Sequence, residues 1–202
     1  MGEWLVSDAL AKLPPAYHHF DNLVVPVHPR TSQTTQIDHV VSSQFGIFVI
    51  ETKKFRGAVS GGESDRLWLQ ILGGRRFPFL NPLNQNRHHV SSLAHHLGLP
   101  SSAFHPVVAF VGLTQLVSPQ LPSNVITTIA PGVPGLRRYI AQISEPILSA
   151  KELSAATSKL IELKANGLTL EDHVQSLRNR DFSRRLGDAL RLRRNTQSEK
   201  LD

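Results

Sequence analysis

The run Pro106-Val107-Val108-Ala109-Phe110-Val111-Gly112 carries no charged or polar side chain. A strand of this kind cannot turn either face to water, so it belongs inside a sheet covered on both sides. The chain must therefore supply helices for two faces, which points to a layered α/β fold. Its length of 202 residues allows one domain with a sizeable core and a small appendage. At 40% hydrophobic and 19% charged residues, no disulfide or metal staple is needed to hold that core.

The elements around this strand can be read in order. Trp4, Leu5, Leu10 and Leu13 recur at near-helical spacing over residues 3–13, and Pro14-Pro15 ends the pattern. Strands are predicted at 20–29, 35–43 and 46–55, the last two joined by a link short enough for a hairpin. Gly57 and Gly61-Gly62 mark turns. A strand at 66–72 is set to pair with 75–79 across Gly73-Gly74. Asn81-Pro82 reads as an N-cap and first helical residue, opening a crossover helix over 82–97 that Gly98 and Pro100 close. A further strand at 124–130 and helices at 133–143, 149–165 and 169–179 complete the chain. The expected fold is a central mixed β-sheet flanked by helices, with residues 1–130 as the core and 131–202 as a helical appendage with a basic C-terminal arm.

Two places in this sheet carry charge where charge is costly. Asp38 lies inside Ile37-Asp38-His39-Val40-Val41, and the most apolar strand ends in Val49-Ile50-Glu51-Thr52-Lys53. A charge inside such strands costs several kcal/mol, roughly, unless it is paired or binds a metal. Strand side chains alternate, so Glu51 and Lys53 share a face about 6.6 Å apart along the backbone, with Thr52 on the other. A hairpin can bring Asp38 beside them. Two carboxylates and a neighbouring main-chain carbonyl, that of Thr52, make an oxygen-rich site suited to Mg²⁺ or Mn²⁺, with room for water and phosphate. A lysine there can orient water and steady charge on a phosphorane-like transition state, which is phosphodiester hydrolysis chemistry. The plain alternative is a Glu–Lys ion pair where a strand end meets solvent.

Several stretches in fixed order resemble the nuclease-related domain (NERD) family, a branch of the PD-(D/E)XK nuclease superfamily. They are Gly2-Glu3, Thr35-Gln36-Ile37-Asp38-His39-Val40-Val41, Gly46-Ile47-Phe48-Val49-Ile50-Glu51-Thr52-Lys53, Gly57, Trp68 with Gln70, and Asn81-Pro82-Leu83-Asn84-Gln85-Asn86. The resemblance runs from Gly2 to about Gly112. It implies a restriction-endonuclease-like core in which Asp38 and Glu51 bind the metal and Lys53 is catalytic. It also implies Glu3 as an auxiliary acid on the first helix and Gln85 as a polar helix residue at the edge of the site. Many relatives carry further modules such as a zinc ribbon, kinase or helicase. Here there is no Cys for a ribbon and no Gly-x-x-x-x-Gly-Lys loop, so a free-standing version is expected. Beyond about residue 115 the resemblance ends.

A net charge of +6 suggests a polyanionic partner, DNA in this context. Residues 151–202 hold as many basic side chains as residues 1–150, and Arg184, Arg185, Arg191, Arg193 and Arg194 crowd one short segment. They form either a DNA-holding arm or a solvated tail whose leucines offer a surface for a homodimer. Lys54 and Arg56, just past the carboxylates, are set to meet phosphates or water, whereas Trp68 and Phe55 are expected in the core. The pairs His18-His19, His88-His89 and His95-His96 look like metal ligands, but helical positions seven apart are separated by about 10 Å. They are expected at the surface or facing a partner. No Gly-x-Ser-x-Gly elbow supports serine hydrolase chemistry. No leader, no membrane-length apolar segment and no cysteine are present, which leads to the expectation of a cytoplasmic protein away from membranes. The expected activity is Mg²⁺-dependent DNA hydrolysis in DNA processing or repair, and the competing reading is an inactive nucleic-acid-binding or regulatory module that keeps the fold.

Overall fold

The computed structural model describes residues 2–28, 32–112, 114–118, 121–127, 134–178 and 181. Helix α1 (Gly2–Leu10) buries Val6, Ala9 and Leu10 at three- and four-residue spacing. It stops short of the predicted 13. Lys12 and Leu13 reach back only three residues, to the carbonyls of Ala9 and Leu10, a tightening that ends the helix before the prolines. Strands β1 (His18–Pro26), β2 (Thr34–Ser43) and β3 (Gly46–Lys54) follow as two antiparallel hairpin pairs. The β2–β3 ladder starts at Ser43↔Gly46 and ends at His39↔Ile50.

The apolar run at 106–112 forms most of β7 (Phe104–Val111), which lies parallel to β3 and is followed in the sheet by β9 (Val125–Thr127). The order is β1-β2-β3-β7-β9, so β3 and β7 are interior and both are covered on two faces, as their composition demands. On one face, α2 (Pro82–Leu97) and α4 (Ala150–Asn166) bury Val90, Leu93, Ala156 and Leu160 against Val40, Val49 and Leu23. On the other, α1 and α3 (Pro134–Gln142) bury Val6, Leu10, Leu136 and Ile140 against Phe48, Ile50 and Val107. Helix α2 has the predicted bounds, capped by the Asn81 side chain at the Leu83 N–H and closed by Gly98 in the left-handed region.

A second sheet goes beyond the single sheet read from the sequence. It has the order β6-β5-β4-β8, from β4 (Gly57–Ser60), β5 (Leu67–Leu72), β6 (Arg75–Leu80) and β8 (Thr114–Leu116). The β5–β6 hairpin is the predicted one, turning at Gly73 and Gly74. Strands β4 and β8 are the direct continuations of β3 and β7, and they pair in parallel as those do. Both chains bend between the sheets, and each carries a glycine with positive φ at its bend, Gly57 (79°) and Gly112 (93°). A methyl group on Gly57 would stand 2.3 Å from the Ile71 carbonyl oxygen, so close approach as well as φ demands glycine. The corner is filled by Trp68, fully buried and stacked on Phe110, with Phe55 and Phe79 beside them. This places Trp68 and Phe55 with the core residues, as expected.

After α4, Leu168 bridges Val24 of β1, and residues 170–178 are helical. The five arginines of the C-terminal arm lie outside the described residues. Among the described residues, no helix is long and apolar enough to cross a membrane.

Candidate active site

Asp38 sits at a fault in β2. Strict alternation would send Ile37 and Val40 to opposite faces, yet both pack in the cluster under α2 and α4. The β1 register places Asn22 opposite Asp38, and Asn22 has φ 49°, the one non-glycine residue with positive φ among those described. The alternation slips there by one residue and takes Asp38 out of the core. One step beyond the last β2–β3 pair, the same register sets Asp38 opposite Glu51. The strands no longer pair at that point, and the Asp38 carboxylate accepts a hydrogen bond from the Thr52 N–H at 2.8 Å in place of a ladder bond. Hairpin proximity thus delivers the juxtaposition expected of Asp38 and Glu51.

Glu51 is 3% exposed and both its oxygens accept hydrogen bonds. Lys53 Nζ lies 2.6 Å from Oε1, and His89 Nε2 lies 3.1 Å from Oε2. The Lys53 ammonium also donates to Gln85 Oε1 at 2.9 Å. Gln85 and His89 are four residues apart on α2 and therefore present one face of that helix to the end of β3. His89 Nδ1 meets Thr35 Oγ1 at 2.8 Å, which fixes the ring between β2 and Glu51. Asn86, fully buried on the next position of α2, donates to the carbonyls of Val49 and Val107 and ties the helix to both interior strands.

His89 corrects the expectation that the paired histidines lie at the surface. It is 4% exposed, because it stands on the face of α2 that turns Asn86, Val90 and Leu93 to the sheet, while His88 is exposed. The signal in the sequence was the four-residue step from Gln85, not the doublet.

The acids repel one another. Burial, the charge of Glu51 and the charge of Glu3 together push the Asp38 carboxyl up to about 7, against the pull of the Thr52 N–H and of Lys53. Burial also raises Glu51, but the hydrogen bonds from His89 and Lys53 outweigh it and hold that carboxyl below its ordinary value. Glu3 is exposed at the start of α1 and acts on Asp38 through space. Its place depends on Gly2: a methyl there would stand 3.0 Å from Lys54 Cβ and 3.1 Å from Val111 Cγ2, so the missing side chain lets the first turn of α1 lie on β3 and β7. Lys54 and Arg56 are exposed just past the site.

The donor set is hard oxygen throughout, with Asp38, Glu51 and the Thr52 carbonyl as the groups that would hold a divalent cation. Burial first, and the charges of Glu51 and Glu3 after it, disfavour the ionised form of Asp38, which a cation bound beside it would relieve. Two carboxylates with one carbonyl leave most of a coordination shell to water and phosphate, which suits Mg²⁺. Among the described residues, no three Asp, Glu or His side chains gather closely enough to hold a metal between them. Beside the acids lies a cavity of about 540 Å³, lined by Asp38, Gln85 and His89, by Asn84 of the same motif as Gln85, and by Arg66, which nothing in the sequence pattern had marked.

Residues 1–111 match the model of the nuclease-related domain. An uncharacterized protein of Bacillus anthracis is 36% identical over 111 residues, which are 52% of this chain and 51% of that protein. The chain thus spans about half the length of this curated relative. No solved structure matches. The family match takes in α1, β2, β3, α2 and β7, and with them Glu3, Asp38, Glu51, Lys53, Gln85 and His89: the chain belongs to the nuclease-related domain family.

Proposed function

We propose that the protein is a metal-dependent nuclease that hydrolyses DNA phosphodiester bonds, in DNA processing or repair. The observation that carries this reading is the Lys53 ammonium held between Glu51 and Gln85, beside Asp38, whose ionised form burial and the charge of Glu51 disfavour. Asp38, Glu51 and the Thr52 carbonyl would hold Mg²⁺ or Mn²⁺, with Glu3 adding charge from α1. A bound divalent cation supplies Lewis acidity toward a phosphate oxygen and lowers the pKa of water. Lys53 has three N–H groups, of which Glu51 and Gln85 take two. The third is available to orient water toward phosphorus and to steady the charge that grows on the phosphate oxygens. His89, held by Thr35, fixes the Glu51 carboxylate so that neither oxygen swings away. In this reading Lys54 and Arg56, exposed just past the acids, would meet backbone phosphates.

The expected result is DNA cleavage by the purified protein with Mg²⁺ or Mn²⁺, lost by at least tenfold in each of Asp38→Ala, Glu51→Ala and Lys53→Ala while the variants stay folded. A Lys53→Ala protein that cleaves several substrates as well as wild type would overturn these roles. One observation favours the second reading, a quiet nucleic-acid-binding module: both Glu51 oxygens are already hydrogen-bonded within the protein. Calorimetric titration of Mg²⁺ and Mn²⁺ into wild type and Glu51→Ala separates the two. Binding that disappears in the variant supports the nuclease, and no binding to either supports the module.

A further inference from the structure

The cavity beside Asp38 has an outer wall that comes from the far end of the chain. Its inner sides are β2 at Thr34 to Gln36 and α2 at Asn84, Gln85 and His89. The opposite side is the helical segment 170–178, which contributes His173 and Leu177. Two hydrogen bonds fasten that segment to a single residue of β2. The Thr34 N–H donates to Ser176 Oγ at 3.1 Å, and Thr34 Oγ1 meets His173 Nδ1 at 2.9 Å. Ser176 is 9% exposed and the Leu168↔Val24 bridge anchors the approach, so the segment is fastened at Thr34 and Val24, while Leu170 and Val174 on it face solvent. Asp38 therefore lies beside a half-open slot, with β2 and α2 on one side and His173 and Leu177 on the other, rather than on a bare sheet face.

We infer that this slot holds one nucleotide of a single DNA strand next to the bond to be cut, and that the protein acts on single strands or frayed ends in preference to intact duplex. The inference rests on the nuclease reading for its site and adds the substrate class. A volume of about 540 Å³ is in the range of pockets that enclose one small ligand. It is far too small for a base pair with its two backbones. The lining has the mixed character a nucleotide needs. Leu80 and Leu177 offer apolar surface to a base, the side-chain amides of Asn84 and Gln36 suit its edge, and Arg66 suits a phosphate. An enzyme that works on an enclosed nucleotide must take it out of a double helix first, and that cost is least where the strand is already single.

Binding tests this without reference to cleavage. The probes are a fluorescent oligothymidylate of about a dozen nucleotides, within the usual reach of single-strand sites, and a blunt hairpin duplex of equal length, both with Ca²⁺. The wild type should bind the single strand at least tenfold more tightly than the duplex. Leu177→Trp, which fills the slot, should weaken single-strand binding about tenfold and leave duplex binding unchanged. Because Trp can also distort the wall, Arg66→Gln gives an independent reading: weaker single-strand binding with a log–log salt slope smaller by the share of roughly one phosphate. Equal wild-type affinity for strand and duplex overturns the inference, as does wild-type strand affinity in both variants. Selective strand binding by a protein that never cleaves leaves the slot standing and removes the nuclease. Cleavage of blunt duplex and single strand at equal rates does the reverse.

Discussion

Adjacent residues of β2 respond to pH in opposite senses. The Asp38 carboxyl, raised to about 7 by burial and by Glu51 and Glu3, makes the folded state hold a proton that the unfolded chain gives up near its ordinary value. Stability from that proton is present below about pH 4 and is lost as pH rises through 7. Asp38→Asn keeps an acceptor for the Thr52 N–H and removes the repulsion. It should raise the melting temperature of metal-free protein at pH 8, by a stabilisation on the order of 2 kcal/mol, with the gain shrinking toward pH 4. Thermal melts across that range check it, and a variant no more stable than wild type at pH 8 refutes the repulsion. His39 runs the other way. It is fully buried, its Nε2 has no hydrogen-bond partner among the described residues, and burial and the charge of His19 lower it to about 4. Its neutral form is favoured in the fold, so stability present above about pH 6.5 is lost as pH falls toward 4. Urea unfolding of His39→Leu should show a flatter acid limb than wild type between pH 6.5 and 4.

At the scale of elements, Asn81 does two jobs. Its Oδ1 caps α2, and its amide nitrogen donates to the carbonyls of Gly62, Glu63 and Asp65, pinning the second sheet's first loop to the start of the helix. Asn81→Ala should destabilise by roughly 2–3 kcal/mol, about 1 from the cap and the rest from the bonds lost at the Glu63 and Asp65 carbonyls. Asn81→Ser restores the cap alone and should fall between the two in urea midpoint. The capping role was legible in Asn81-Pro82, as were the Gly73-Gly74 hairpin and the meeting of Asp38 with Glu51, because each is written within a few residues or one hairpin. The loop-pinning role was not. Neither were β4 and β8, four- and three-residue strands whose pairing spans more than fifty residues and leaves no local periodicity. His89 was hidden by a different cause, an adjacent histidine that suggested a surface doublet. The helix at 170–178 was legible as the predicted helix over 169–179, but its place beside the site was not, since Thr34, His173 and Ser176 are joined only by the fold.

Along the sequence, the densest basic cluster and the acidic site stand far apart. The acids lie at the end of β3, and Arg184, Arg185, Arg191, Arg193 and Arg194 follow the wall helix in sequence. If that arm holds phosphates beside a site that repels them, deleting residues 183–202 should weaken DNA binding about equally for all sequences. It should reduce the log–log salt slope by about 0.9 for every phosphate the arm had neutralised. Cleavage at saturating DNA should persist. Sedimentation gives the competing outcome: a dimer that becomes a monomer with an unchanged salt slope assigns the segment to self-association and retires the arm. The twin bend at Gly57 and Gly112 has a consequence in time as well as in shape. The acids come together when the β2–β3 hairpin closes, a microsecond event available to the first sixty residues of the chain. The strand pair that bends at those glycines is parallel, and β7 reaches β3 only after β4, β5, β6 and α2 have been laid down between them. Gln85 and His89 arrive with that crossover. Folding therefore gathers the like charges first and brings the groups that hold Lys53 and Glu51 in place second, so the closing of the long parallel loop is the slow step and also the step that finishes the site.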